Sequence, residues 1–186
     1  MTMSKEKSLT TDLMLDMETL GTRPGCSILS IAAVPFNNPY DLESFYLKIA
    51  TTSCTDAGLH IDDATIAWWN KQSPEAYNEA FSGQLDLRVV LQEFADYCNH
   101  LPHAPVVWGN GSDFDCAILA ETYRICGMQP PWKYTDSRCY RTLKNLFPWV
   151  LGNKPTVAHN ALEDAKAQAA HATDILRVIA GRKSCE

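Results

Sequence analysis

Apolar and polar positions along this 186-residue chain change their period once, near residue 62, from about two to about 3.6. Before that point the pattern predicts strands. Asp12-Leu-Met-Leu-Asp16 is a short apolar run closed by acids. Cys26 to Phe36 is a second, stopped by Pro35 and the turn-forming Asn37-Asn-Pro-Tyr40, and Glu43 to Ile49 alternates as a third. Short connections between them predict an antiparallel meander. Beyond residue 62 helices are predicted over 63–70, 74–81 and 85–99, the last with Leu87, Val90, Leu91, Phe94 and Ala95 on one face. Pro105-Val-Val-Trp108 predicts a fourth strand, followed by a Gly-Asn-Gly turn and a helix from Asp115 to Arg124. A weak strand near 132–135, a helix over 137–146 and a long closing helix over 160–179 complete the pattern. Strands in a run, then strands interleaved with helices, predict an α/β domain on a mixed sheet flanked by helices.

Composition narrows the class. At 46% hydrophobic and 20% charged residues the chain suits one globular domain, expected over 12–180 between tails at 1–11 and 181–186. No apolar run reaches the roughly 20 residues a membrane span needs. Residues 1–9 carry Lys5, Glu6 and Lys7 without the apolar stretch of a secretory signal, so the expected location is the cytosol. The seven cysteines (26, 54, 98, 116, 126, 139 and 185) are odd in number, scattered and never spaced C-x-x-C, which predicts reduced thiols and no zinc site. A net charge of −6 argues against a polyanion binder working by bulk charge. It leaves room for an acidic site that carries its own cations.

Three segments carry candidate chemistry. Asp16-Met-Glu18 ends the first strand, where residues two apart point to one face. Thirteen Asp and nine Glu in 186 residues give about 0.6 chance D-x-E occurrences, and the second copy, Asp41-Leu-Glu43, falls in an expected solvated loop. Position distinguishes the first copy, because charges directly after Leu13-Met-Leu15 need a reason to sit at a buried strand's end. Asp115 lies at the carboxyl end of the fourth strand, where α/β sheets gather ligand-binding groups. Ser112 or Asp113 is the expected cap of the helix that follows, leaving Asp115 free. In His159-Asn-Ala-Leu-Glu-Asp164, Asn160 and Glu163 have capping-pair spacing, which places Asp164 near the helix start and His159 in the preceding loop.

In this order, D-x-E-T, F-D-x-x-x-L and H-x-A-x-x-D-A closely resemble the DEDDh 3′→5′ exonucleases, the DnaQ-like group with a ribonuclease H-like fold, over residues 12–180. Thr65 to Ala76 and Asp136 to Thr142 resemble the phage and bacterial exonuclease VIII-like or exoribonuclease-like branch. The resemblance implies a five-stranded mixed sheet and a metal-dependent exonuclease acting on single-stranded 3′ ends of DNA or RNA. It implies two divalent cations, Mg²⁺ or Mn²⁺, with Asp16 bridging both, Glu18 and Asp164 holding one, Asp115 positioning the other, and His159 as general base. It also makes a homodimer plausible. The rival expectations are an oligoribonuclease-type enzyme for short RNA and a binding module that has lost catalysis.

Thr19 and Leu20 follow the acidic pair and either line the terminal nucleotide, with Leu20 as a wedge, or pack their turn. Trp68 and Trp69 offer stacking faces, but adjacent helical residues diverge by about 100°, so one of them is expected in the core. Residues 124–144 hold five basic residues against Asp136 alone, a local balance of +4; Arg138 and Arg141, expected on one helical face, either contact phosphates or belong to a solvated face, the more frequent case for any single basic residue. Asn110 either orients substrate or closes its turn.

Overall fold

A computed structural model describes residues 10–155, 157 and 159–183. Five strands, β1 (Thr10–Thr19), β2 (Ile28–Phe36), β3 (Phe45–Lys48), β4 (Ala104–Gly109) and β5 (Ser137–Cys139), form one sheet in the order β3-β2-β1-β4-β5. β1 lies at the centre, antiparallel to β2 and parallel to β4; β3 pairs antiparallel to β2, and β5 parallel to β4. The meander and the mixed sheet are therefore as the sequence predicts. Helices α1 (Thr51–Asp56), α2 (Asp63–Trp69), α3 (Pro74–Ala80), α4 (Leu87–His100), α5 (Asp115–Ile125), α6 (Tyr140–Leu146) and α7 (Ala161–Lys183) surround it.

The two-residue period of β1 divides the interior into two layers. Leu13, Leu15 and Met17 face one way, into a cluster with Val90, Leu91 and Phe94 of α4 and Ile118, Leu119 and Tyr123 of α5. Met14 faces the other way, with Ala32 and Val34, toward Ala161, Ala165, Ala169 and Ala172 of α7. Each fully buried large side chain contributes roughly 1.5–3 kcal/mol, which fixes the register of β1 against a one-residue slip. Asp16 and Glu18 share the parity of Met14, so they emerge on the α7 side of the sheet.

Several boundaries differ from expectation. β1 opens at Thr10 and α7 runs to Lys183, so the ordered elements extend into both expected tails; residues 1–9 and 184–186, including Cys185, lie outside the described residues. The strand expected near 132–135 forms instead over 137–139, after a 3-10 turn at Tyr134–Asp136. Pro130 and Pro131 precede it and carry no amide proton to donate to β4. The helix expected from Ser137 consequently begins at Tyr140. α1 is not signalled by the apolar pattern; Cys54 is its one buried residue. Cys26, Cys54, Cys98, Cys116 and Cys126 are buried free thiols, and Asp41 and Glu43 lie exposed in a loop. Among the described residues no helix is long and apolar enough to cross a membrane.

Candidate active site

β1 and α7 bring the first three acids together. Asp16 and Glu18 project from the end of β1, and Asp164 comes from the first turn of α7; one carboxylate oxygen of each lies within 4.8 Å of the other two. Asn160 caps α7 as expected, its Oδ1 accepting the N–H groups of Leu162 and Glu163 at 3.1 Å each. Glu163 turns away to pair with Lys166 at 2.8 Å, leaving Asp164 to face the sheet. Four residues further along that face, Gln168 Nε2 donates to Asp16 Oδ1 at 2.7 Å.

Asp115 completes the acidic group from the other side of β1. It is 3% exposed and accepts the backbone N–H of Asn110 at 2.9 Å. Among the described residues no side chain caps α5, so neither Ser112 nor Asp113 takes the expected capping role. The helix starts directly at Asp115, whose carboxylate returns to the preceding turn. Neither glycine flanking Asn110 leaves room for a larger residue. A Cβ on Gly109 would lie 2.9 Å from Asp115 Oδ2, and Gly111 has φ +112 with Arg141 packed against it. Arg141 donates to the carbonyl of Asn110 and lines a small hollow with Asp16, Asn110 and Asp115.

Burial raises all four acids, and repulsion within the group adds to it at Asp16 and Glu18. Burial pushes Asp16 well above the ordinary carboxylate range, with Asp115 and Glu18 adding to the shift and the Gln168 hydrogen bond opposing it. Glu18 is pushed up to about 8, first by burial and then by Asp164 and Asp115. Asp115 rises to about 7 through burial, against the Asn110 amide and the Arg141 charge. Burial raises Asp164 as well, countered by His159 and by the backbone amides of His159 and Asn160. At ~4 Å and an effective dielectric near 20, each like-charged pair costs about 4 kcal/mol. An all-oxygen, hard donor set with so strong an unmet demand for positive charge fits a divalent cation such as Mg²⁺ or Mn²⁺.

His159 precedes α7 in the loop, as expected, in the left-handed region at φ +60, which His adopts more readily than most residues. Its ring packs edge-on against Trp68, with centroids 4.9 Å apart, and lies 6.3 Å from Trp69. The two tryptophans part as helical geometry requires. Trp69 is 1% exposed, donates from Nε1 to the carbonyl of Thr19 at 3.0 Å and belongs to the core; Trp68 is 41% exposed. A hollow of about 670 Å³ opens between them and the end of β1, lined by Glu18, Thr19, Thr65, Trp68 and Phe114 among others.

Residues 11–176 match the family model described as the 3′-5′ exoribonuclease Rv2179c-like domain. The chain belongs to that family. A curated relative, the exodeoxyribonuclease of enterobacteria phage T4, is 29% identical over an alignment of 126 residues that covers 61% of this chain. The chain spans 56% of the length of that relative. The family's fold is shared with solved nucleases at low identity. Cell-death related nuclease 4 (CRN-4) aligns over 92% of this chain and 65% of its own, at TM-score 0.63 and 12% identity. The nuclease domain of 3′hExo, described as a DEDDh family member bound to rAMP, aligns over 94% and 95%, at TM-score 0.61 and 12% identity. A full-length 3′-exonuclease aligns over 92% and 84%, at 0.60 and 13%. These likenesses show the ribonuclease H-like fold.

Two substrate-contact expectations fail on geometry. Leu20 is 0% exposed and packs with Leu29, Trp69 and Ala80, so it cannot wedge against a base. A register shift between Glu18 and Thr19 breaks the strand alternation just before it. Thr19 lines the hollow, and its Oγ1 donates to the carbonyl of Gly21 at 2.7 Å within its turn. Arg138 lies in β5 and Arg141 in α6, and therefore they share no helical face; Arg138 donates to the carbonyls of Thr135 and Ser137 instead. Asn110 serves its turn through the backbone and also borders the hollow near Asp115. Gln168 is the contact that sequence reading missed. Its signal is the four-residue spacing from Asp164.

Proposed function

We propose that this protein is a metal-dependent 3′→5′ exonuclease that hydrolyses the last phosphodiester of a single-stranded DNA or RNA end and releases nucleoside 5′-monophosphates. The observation that carries this reading is the meeting of Asp16, Glu18 and Asp164 donor oxygens within 4.8 Å, with Asp115 beside them. Asp16, Glu18, Asp115 and Asp164 would hold two divalent cations. When bound, such cations lower the pKa of a water and offset charge on the reacting phosphate.

The chain's own residues supply the rest. An imidazole nitrogen of His159 takes a proton from the attacking water, whose oxygen bonds to phosphorus as the P–O3′ bond breaks; the departing 3′-oxygen takes its proton from solvent. Trp68 stacks a base near the strand end, Thr19 and Phe114 close the hollow around it, and Arg141 contacts a phosphate. Gln168 keeps Asp16 oriented. The catalytic unit runs from β1 to the end of α7, residues 10–183, acting in the cytoplasm as a homodimer; sedimentation of the purified chain tests the dimer.

Strands labelled at the 5′ end, of DNA and of RNA, single or duplex with overhangs, test the reaction with Mg²⁺, Mn²⁺ or chelator. Both sugars belong in the assay because the family is described by RNA and the phage relative by DNA. A cation-dependent ladder shortening from the unlabelled end is expected, absent in Asp16→Ala and strongly reduced in His159→Ala with cation binding retained. Bands of one internal length, or cleavage by Asp16→Ala, would overturn the reading. RNA cleavage that stops at any strand beyond a few nucleotides would select the oligoribonuclease-type alternative.

A further inference from the structure

The residue that caps α7 is also the residue that follows His159. Asn160 spends Oδ1 on the cap, and its Nδ2 donates to Glu79 Oε1 at 3.2 Å and to the Tyr46 hydroxyl at 3.5 Å. The same Glu79 oxygen accepts the Tyr46 hydroxyl at 3.2 Å and pairs with Lys48 Nζ at 2.6 Å. Lys48 holds the Glu79 carboxyl below its usual range, so an ionised acceptor faces Asn160 near neutral pH. One carboxylate oxygen thus joins β3, α3 and the start of α7. The backbone at His159 cannot rotate freely without disturbing this junction. On its other side the ring meets Trp68 of α2, and its amide lies near Asp164.

We propose that Glu79, with Tyr46 and Asn160, is a positioning device that fixes the left-handed turn at His159 and so aims its imidazole at the acidic cluster. This rests on the reading of His159 as general base. None of the three residues touches the reacting atoms in that scheme; they act through His159. A base displaced by about 1 Å loses on the order of a hundredfold in rate, while substrate, bound elsewhere, is held as before.

The test is kcat and KM on a labelled single strand with Mn²⁺ for Glu79→Ala, Glu79→Gln and Asn160→Asp, each alone and combined with His159→Ala. Glu79→Ala is expected to lower kcat about 10- to 100-fold. KM stays within about threefold, the signature of an interaction that matters only in the transition state. Glu79→Gln keeps an acceptor oxygen and should recover most of that loss. Asn160→Asp keeps the cap but sets a carboxylate against Glu79, and should lose as much as Glu79→Ala. In the His159→Ala background none of the three should lower kcat further. In the metal-free protein, amide exchange over residues 159–164 should quicken in Glu79→Ala. Unchanged kcat in both Glu79→Ala and Asn160→Asp, or an equal loss with and without His159, would overturn the proposal. Full turnover by His159→Ala alone would overturn the general-base reading instead. The near-isosteric Glu79→Gln and Asn160→Asp keep the test decisive if Glu79→Ala melts early.

Discussion

Gln168 on α7 reaches across to Asp16 on β1, Nε2 to Oδ1 at 2.7 Å, and among the described residues it is the neutral hydrogen-bond donor set against the most crowded acid of the site. Its second amide atom, Oε1, is buried with no partner among the described residues, so the side chain is held there at a cost. A contact of this kind orients a ligand that would otherwise rotate away from its neighbours. Gln168→Ala should weaken Mn²⁺ binding about 10- to 100-fold while leaving the melting temperature little changed. Calorimetric titration checks this, and unaltered affinity would remove Gln168 from the site.

The raised acids make stability depend on pH in a direction opposite to that of salt-bridged carboxylates. Glu18 near 8 and Asp115 near 7 bind protons more tightly in the folded protein than their ordinary values of 4.5 and 3.8 allow in the unfolded chain. Between those limits the folded state carries more protons, so its stability falls as pH rises. The contribution is complete below about pH 4 and is lost as pH passes through 7 and 8. In chelator the melting temperature should therefore drop from pH 5.5 to 8.5. Added Mg²⁺ should raise it more at the higher pH. A chelated protein that gains stability over that interval would show these carboxyls ionised without a cation.

Gly109 leaves Asp115 no slack. A methyl group there would meet the carboxylate at 2.9 Å and the Asp115 Cβ at 3.0 Å. Gly109→Ala should cost about 1–3 kcal/mol of stability through overpacking. Because the displaced group is one of the four acids, turnover should fall at least about tenfold with it. Melting curves and the strand-shortening assay read the two effects separately, and a variant active at wild-type rate would show that Asp115 need not stay where it is.

The tryptophan pair should divide into a structural and a binding member. Trp69→Ala removes a buried indole and its hydrogen bond to Thr19, with an expected loss of about 3–5 kcal/mol. Trp68→Ala should leave melting nearly unchanged and weaken single-strand binding by about 1–3 kcal/mol. Fluorescence anisotropy with a labelled strand in Ca²⁺ checks the second, and equal binding by Trp68→Ala would move the stacking platform elsewhere.

Much of this arrangement is legible in the residues because it follows from local rules. A period of two puts Asp16 and Glu18 on one face, a capping asparagine starts α7 five residues before Ala165, and a strand followed by glycines places Asp115. What stays hidden depends on contacts between distant segments. The register shift that buries Leu20 arises from pairing with β2, and the late start of α6, which parts Arg138 from Arg141, comes from β5 joining β4. Gln168 carries no motif of its own. Only the packing of α7 on β1 reveals what it touches.

That packing runs along Ala161, Ala165, Ala169 and Ala172, which rest on Met14, Ala32 and Val34. Methyl groups let the helix backbone settle low over the sheet, and the drop from helix to strand sets how far Asp164 hangs from Asp16 and Glu18. A bulkier residue at position 165 would act as a shim, lifting the helix and spreading the acids while leaving each of them in the sequence. The gap that a cation must span is thus governed from beneath, by side chains that never meet a nucleotide.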